Sequence, residues 1–267
     1  MRCDSPPIAS RLQLWCSGFR VVASQQARYA MKLWKFKSLT DKGLLHVLQM
    51  LTQKQVFLPN CELVNDSKEG QWHNCEPPPS NMTADTSRQI CSRRDQLNQI
   101  VKKARFASFC KCESVLNPLM WGHYSGGGNG VAICYESSEL VLDGAIQLCD
   151  VWYEGMTHIG HEDVRDMVDG KVCFLTKGIL RSKDPCWSYE NEVRIIAKDG
   201  LDSLFIKLDP KAIIVGIKDS PEWHVLSAVS HQFRIPIGYL KNRGDGGPGF
   251  EVDSQDYWFF DCLSQLK

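Results

Sequence analysis

Trp187-Ser-Tyr-Glu-Asn-Glu-Val-Arg-Ile-Ile196 is the stretch on which the reading of the fold turns. Its β-branched, apolar end reads as a strand. If the whole stretch is extended, its side chains alternate between two faces. Glu190, Glu192 and Arg194 then share one face, and Tyr189, Val193 and Ile195 share the other. Residues two apart on a strand lie about 6.6 to 7 Å apart. The pattern therefore predicts two carboxylates and a guanidinium in a row, backed by apolar side chains.

On the C-terminal side, strands are expected at Val193–Ala197, Leu204–Leu208 and Ala212–Ile217. Ser220 is a fitting N-cap for a helix that starts at Pro221 and carries Trp223, Val225, Leu226 and Val229. A strand near Ile237–Leu240 closes the sheet in this reading. On the N-terminal side, Leu33–Ser38 alternates as a strand, and Thr40 is expected to cap a helix with the stripe Leu44, Leu45, Val47, Leu48 and Leu51. Further strands are expected at Gln55–Leu58, Arg105–Cys110, Val131–Tyr135 and Ile146–Tyr153. Helices are expected at Ser87–Lys103, Leu119–Tyr124 and His161–Thr176. Residues 65–85, with Pro77-Pro-Pro79, read as a loop. This irregular mixture predicts an α+β fold, a single mixed-sheet domain with flanking helices, rather than a doubly wound one.

The expected organisation is an N-terminal extension over residues 1–30, one domain over 31–243, and a glycine-rich tail over 244–267. The extension has four arginines, Arg2, Arg11, Arg20 and Arg28, against one acid, Asp4. That composition fits either a transit peptide or an extension upstream of a functional start at Met31, and the second is the expectation. Hydrophobic residues make up 43% of the chain, enough for a substantial core. The formal net charge of +0 argues against coating nucleic acid by bulk charge but leaves a local basic patch open. No stretch approaches the roughly 20 apolar residues of a membrane-spanning helix.

The 12 cysteines are scattered, and the nearest pair is Cys110-Lys-Cys112. Several sit in apolar runs, as in Val-Ala-Ile-Cys134, where a free thiol packs as a small hydrophobe. This usage points to a reducing, cytoplasmic setting and to no metal site. His158-Ile-Gly-His161-Glu162 lacks the spacing of a zinc-binding helix, and Gly126-Gly-Gly128 reads as the turn into a strand rather than a phosphate cradle.

Several blocks carry a resemblance when taken in order. They are Leu33-Trp-Lys-Phe-Lys-Ser38, Asn65-Asp-Ser-Lys-Glu69, Ser108-Phe-Cys110, Met120-Trp-Gly-His-Tyr124 followed by Gly130-Val, Lys177, and Trp187-Ser-Tyr-Glu-Asn-Glu-Val-Arg194. From about Leu33 to Ile217 the chain resembles a bacterial domain of unknown function, family 2971. Lys37 stands where that family has arginine, which loses the bidentate fork, and Ser67-Lys68 replaces Pro-Phe. The family name brings no activity with it.

The layout is also similar to that of ADP-ribosyltransferases of the Arg–Ser–Glu type. These place a basic residue on an early strand, a serine-bearing strand in the middle and Glu-x-Glu later. This likeness implies that Glu192, Glu190 and Arg194 are the catalytic set. It implies that Lys37, Ser108, Tyr124 and His123 face a nucleotide, with NAD as a substrate. Cleavage of a nicotinamide–ribose bond develops an oxocarbenium-like cation, which a carboxylate stabilises. Arg194 is expected to lower the pKa of Glu192, while Glu190 receives less of that help. Two other readings stay open. One is a metal-dependent nuclease using Asp66, Glu69, Glu190 and Glu192, and the other is a non-catalytic sensor or binding domain.

Overall fold

The computed structural model describes residues 31–40, 42–63, 70–74, 83–140, 146–197, 204–242 and 250–254. The sequence assigned residues 1–30 to an extension, 65–69 to a family-like block and 244–267 to a tail, and all of these except 250–254 lie outside the described residues.

The alternating start of the chain forms β1 (Lys32–Ser38). After it come α1 (Gly43–Thr52), β2 (Gln55–Phe57), β3 (Trp72–Asn74), α2 (Ala84–Lys103) and β4 (Arg105–Lys111). The middle of the chain supplies α3 (Pro118–Tyr124), β5 (Gly130–Glu136), β6 (Ile146–Asp150), β7 (Thr157–Ile159) and α4 (His161–Val168). The last third supplies β8 (Glu192–Ala197), β9 (Phe205–Lys207), β10 (Ala212–Val215), α5 (Pro221–Phe233), β11 (Ile237–Asn242) and β12 (Phe250–Asp253). The result is an α+β domain with a large mixed sheet and flanking helices. Eight strands run in the order β12-β11-β10-β5-β1-β4-β8-β6, with β10 and β11 parallel. No helix among the described residues is long and apolar enough to cross a membrane.

Local chemistry sets the helix ends. The Ser220 side chain accepts from Trp223 N at 3.1 Å, with Pro221 in the first turn of α5. Thr83 caps α2 by accepting from Thr86 N, so the helix starts at Ala84, three residues before the expected Ser87. Asp85 in its first turn and Lys102 and Lys103 in its last suit the helix dipole. Thr40, in contrast, does not cap α1. Its hydroxyl pairs with that of Ser38 at 2.7 Å, and the helix opens at Gly43 without a side-chain cap.

Other boundaries also differ from expectation. Helix α4 stops at Val168, because Gly170 adopts a φ of 76° and the chain re-coils as a 3-10 turn over Phe174–Lys177. Trp72–Asn74, inside the stretch read as loop, pairs in parallel with β7. Phe250–Asp253, inside the stretch read as tail, extends the sheet beyond β11.

The sheet has two covered faces. On one, Leu33, Val131, Ile133, Val193, Ile195 and Ile213 pack beneath α1 and α5. Complete burial of a side chain such as Ile133 contributes roughly 1.5–3 kcal/mol. The other face is covered in two separate patches. Helices α2 and α4 close over Phe106, Cys149 and Ile196, while α3 closes over Trp34, Cys110, Ala132 and Cys134. Cys110, Cys112, Cys134 and Cys149 are buried.

The sheet divides between those two patches. Although β1 and β4 are seven residues each, they pair only at Leu33↔Lys111 and Trp34↔Cys110. Beyond that point β1 stays with β5, while the far end of β4 takes Pro59, whose carbonyl accepts from Phe106 N at 2.9 Å. The split is bordered by Phe36 and Ser108. Both are half-buried although they belong to interior strands.

Candidate functional site

The stretch from Trp187 to Ile196 is not one strand. Pro185–Glu190 is a 3-10 turn, started by Asp184, whose carboxylate accepts from Cys186 N at 3.0 Å. Asn191 follows in the left-handed region at φ 45°, and β8 begins at Glu192. Asparagine tolerates this conformation better than most residues. The expected alternation over 187–191 is therefore corrected. Glu190 reaches the site from a turn, whereas Glu192 and Arg194 come from one face of β8.

Arg194 is fully buried. Its Nε and Nη2 donate to Glu192 Oε1 and Oε2 at 2.7 and 3.2 Å, and its Nη1 donates to the Leu180 carbonyl at 2.8 Å. The guanidinium lies 5.0 Å from the centroid of the Phe106 ring. Glu192 also receives a hydrogen bond from the Ser108 side chain, its partner across β4 and β8 being Cys110. Its backbone N–H donates to the Tyr153 hydroxyl at 2.7 Å.

Lys183 joins the two carboxylates. Its Nζ donates to Glu190 Oε2 at 2.5 Å and to Glu192 Oε2 at 3.3 Å, and lies 5.1 Å from the Trp187 ring centroid. Tyr124, from α3, donates its hydroxyl to the other oxygen of Glu190. His123 Nδ1 is 2.7 Å from the Tyr189 hydroxyl, and its ring meets those of Trp187 and Tyr189 edge-on. His123 is exposed, while Tyr124, Trp187 and Tyr189 are half-buried. The aromatic group thus forms an outer wall beside an enclosed pair of carboxylates.

The two carboxylates differ. Burial raises the pKa of Glu190, and the neighbouring Glu192 charge adds to this, against the opposing pull of Lys183. Burial would raise Glu192 too, but Arg194 and then Lys183 outweigh it and hold its carboxyl well below the usual range. Tyr124 is pushed far up, by burial and by its bond to Glu190, so its hydroxyl stays protonated. One carboxylate is fixed in its ionised form and the other is poised to take a proton, the division of roles used in acid–base sites.

Of the residues singled out in the sequence, Glu190, Glu192, Arg194, Ser108, Tyr124 and His123 come together. Lys37 does not. It pairs with Val131 on the α1 face, opposite Ser108 and Glu192. Lys177 lies elsewhere as well, bridged to Asp163 at 2.8 Å. Trp121 is a core residue whose Nε1 donates to the Val115 carbonyl at 2.7 Å. Asp66 and Glu69 are outside the described residues, and no group of three or more metal-ligating side chains gathers among the described ones.

Sequence reasoning missed Lys183, Tyr153 and Lys35. Lys183 lies outside the strand pattern, and only the 3-10 turn folds it back over Glu190. Lys35 sits two residues from Lys37 on the same strand face, and its Nζ reaches the Ser108 carbonyl at 3.0 Å across the split. Burial first, and then the Lys37 charge, lower its pKa to about 7 against the pull of Glu192. Compared with protein-family models, curated proteins and solved structures, the chain matches none.

Proposed function

We propose that the chain binds a nucleotide at the sheet split and transfers its ribosyl group, with NAD as the substrate to test first. The observation that carries this reading is the pair of unequal carboxylates. Glu192 is held ionised and Glu190 is raised, beside the half-buried Ser108 and a wall of aromatic rings. The resemblance to family 2971 belongs to the same proposal and supplies no activity of its own.

In the proposed reaction the C1′–N bond to nicotinamide breaks, and the electron pair leaves with the ring nitrogen as neutral nicotinamide. Glu192 stabilises the cation developing on the ribose. An acceptor O–H or N–H attacks C1′ and gives its proton to Glu190, whose other oxygen is oriented by Tyr124. Trp187 and Tyr189 offer ring faces to a base. A divalent metal between Glu190 and Glu192, as a nuclease would use, meets the Lys183 ammonium in that place. The ion network thus favours transfer over metal-assisted cleavage.

The experiment measures NAD consumption and nicotinamide release beside nucleic-acid cleavage with added magnesium or manganese. It compares the wild type with Glu192→Gln and Glu190→Gln, all checked by circular dichroism. Wild-type turnover that drops by about 10² to 10⁴ in folded Glu192→Gln is expected. Cleavage of nucleic acid only with metal, or no nicotinamide release by the wild type, rejects the reading.

A further inference from the structure

Three cations, Arg194, Lys183 and Lys35, and two carboxylates gather beside the split, and Lys37 stands next to Lys35 on the α1 face. Arg194 and Lys183 already answer Glu192 and Glu190. Lys35 and Lys37 remain, and neither has a carboxylate within ion-pair distance among the described residues. Both are half-buried, and burial lowers the pKa of each. Cations enclosed without counter-ions are costly, so such a place has a use for a negative ligand.

The backbone supplies further donors. On β4, Phe106 N points towards Pro59, away from β8. Strand alternation turns the N–H and C=O of Ser108 the same way. Phe36, two residues past the Trp34↔Cys110 pair, likewise turns its backbone groups towards the split. The Ser108 carbonyl is taken by Lys35 Nζ. Among the described residues, the N–H groups of Phe36 and Ser108 have no ladder partner across the split. An ammonium and two N–H groups therefore border one gap.

We propose that the split between β1 and β4 is an oxyanion subsite of the phosphate class, with Lys35 as its central cation, Lys37 as a second, and the Phe36 and Ser108 N–H groups as neutral donors. It rests on the nucleotide reading only for the choice of phosphate, because these donors suit any tetrahedral oxyanion. The charges that act on Lys35 are Lys37 on its own strand and Glu192 on β8, and its Nζ lies 5.1 Å from the Phe109 ring centroid. Glu192 is already neutralised by Arg194 and Lys183, so it does not cancel the site. The amine must be protonated to hold an anion. With a free-site value of about 7, binding is strong in mild acid and weakens as Lys35 loses its proton at higher pH.

Inorganic sulfate is the probe, since its charge is constant across the neutral range. Isothermal titration calorimetry on the full chain, with chloride-matched ionic strength, is run at about pH 6.5 and about 8.5. The wild type should bind sulfate roughly 25-fold more weakly at the higher pH. Lys35→Arg, which keeps its charge throughout, should bind with little pH dependence. Lys35→Met should lose binding by at least about tenfold. No wild-type heat above the chloride control, undiminished binding by Lys35→Met, or an unchanged pH dependence in Lys35→Arg overturns the proposal. If Lys35→Met does not fold, Lys35→Arg decides. The assay contains no NAD, so sulfate binding by a chain that leaves NAD intact keeps the subsite and rejects the transferase.

Discussion

Replacing Arg194 with methionine should be among the most damaging single changes to this fold. Methionine fills much of the same space without the charge. The change removes both guanidinium bonds to Glu192 and the bond to the Leu180 carbonyl, all inside a site that excludes water. Glu192 is left with Ser108 and the longer contact to Lys183 at 3.3 Å. Removing one partner of a buried ion pair typically costs about 3–5 kcal/mol, because the other charge stays enclosed. Against a typical stability of about 5–15 kcal/mol, that is a large share. Urea unfolding at neutral pH should show a much lower midpoint with an unchanged slope. Adding Glu192→Leu should restore most of the loss, since the stranded charge is then gone.

The acid limb provides a second readout of the same perturbation. The folded pKa of Glu192 is depressed, so its contribution is fully present above the unfolded value of about 4.3 and is lost as pH falls through the folded value. Arg194→Met weakens the depression, so this acid-dependent loss becomes smaller and is complete at a higher pH. A cost below about 1 kcal/mol for Arg194→Met, or no recovery in the double variant, would refute the idea that this pair is a tightly coupled buried unit.

Asn191→Val should cost about 1–2 kcal/mol in thermal or urea unfolding, because a β-branched residue resists the left-handed conformation at φ 45°, whereas Asn191→Gly should be nearly neutral. Gly216→Ala should cost about 1–3 kcal/mol, since its Cβ would stand 1.8 Å from the Gly128 carbonyl oxygen and backbone must shift; an unchanged melting temperature would show that the glycine turn yields freely.

The sequence carried most of the strands and helices and the α+β class, because these follow from local rules. Alternation at Leu33–Ser38, the apolar run at Val131–Tyr135, and Ser220 before Pro221 each depend on residues a few positions apart. The same rules fixed the neighbourhood of Glu192 and Arg194, which lie two apart on a real strand. They misled at Glu190, since a period of two gives no sign that Asn191 turns the chain. They also misled at Lys37, which alternation places on the opposite face from Ser108 once the strand order is known. Only the tertiary structure could bring Lys183 between the glutamates, seat Tyr124 of α3 against Glu190, and part β1 from β4 so that Lys35 reaches the Ser108 carbonyl. Those contacts join residues far apart in the chain. Local pattern fixes which face a side chain takes, and packing and strand order decide what it meets there.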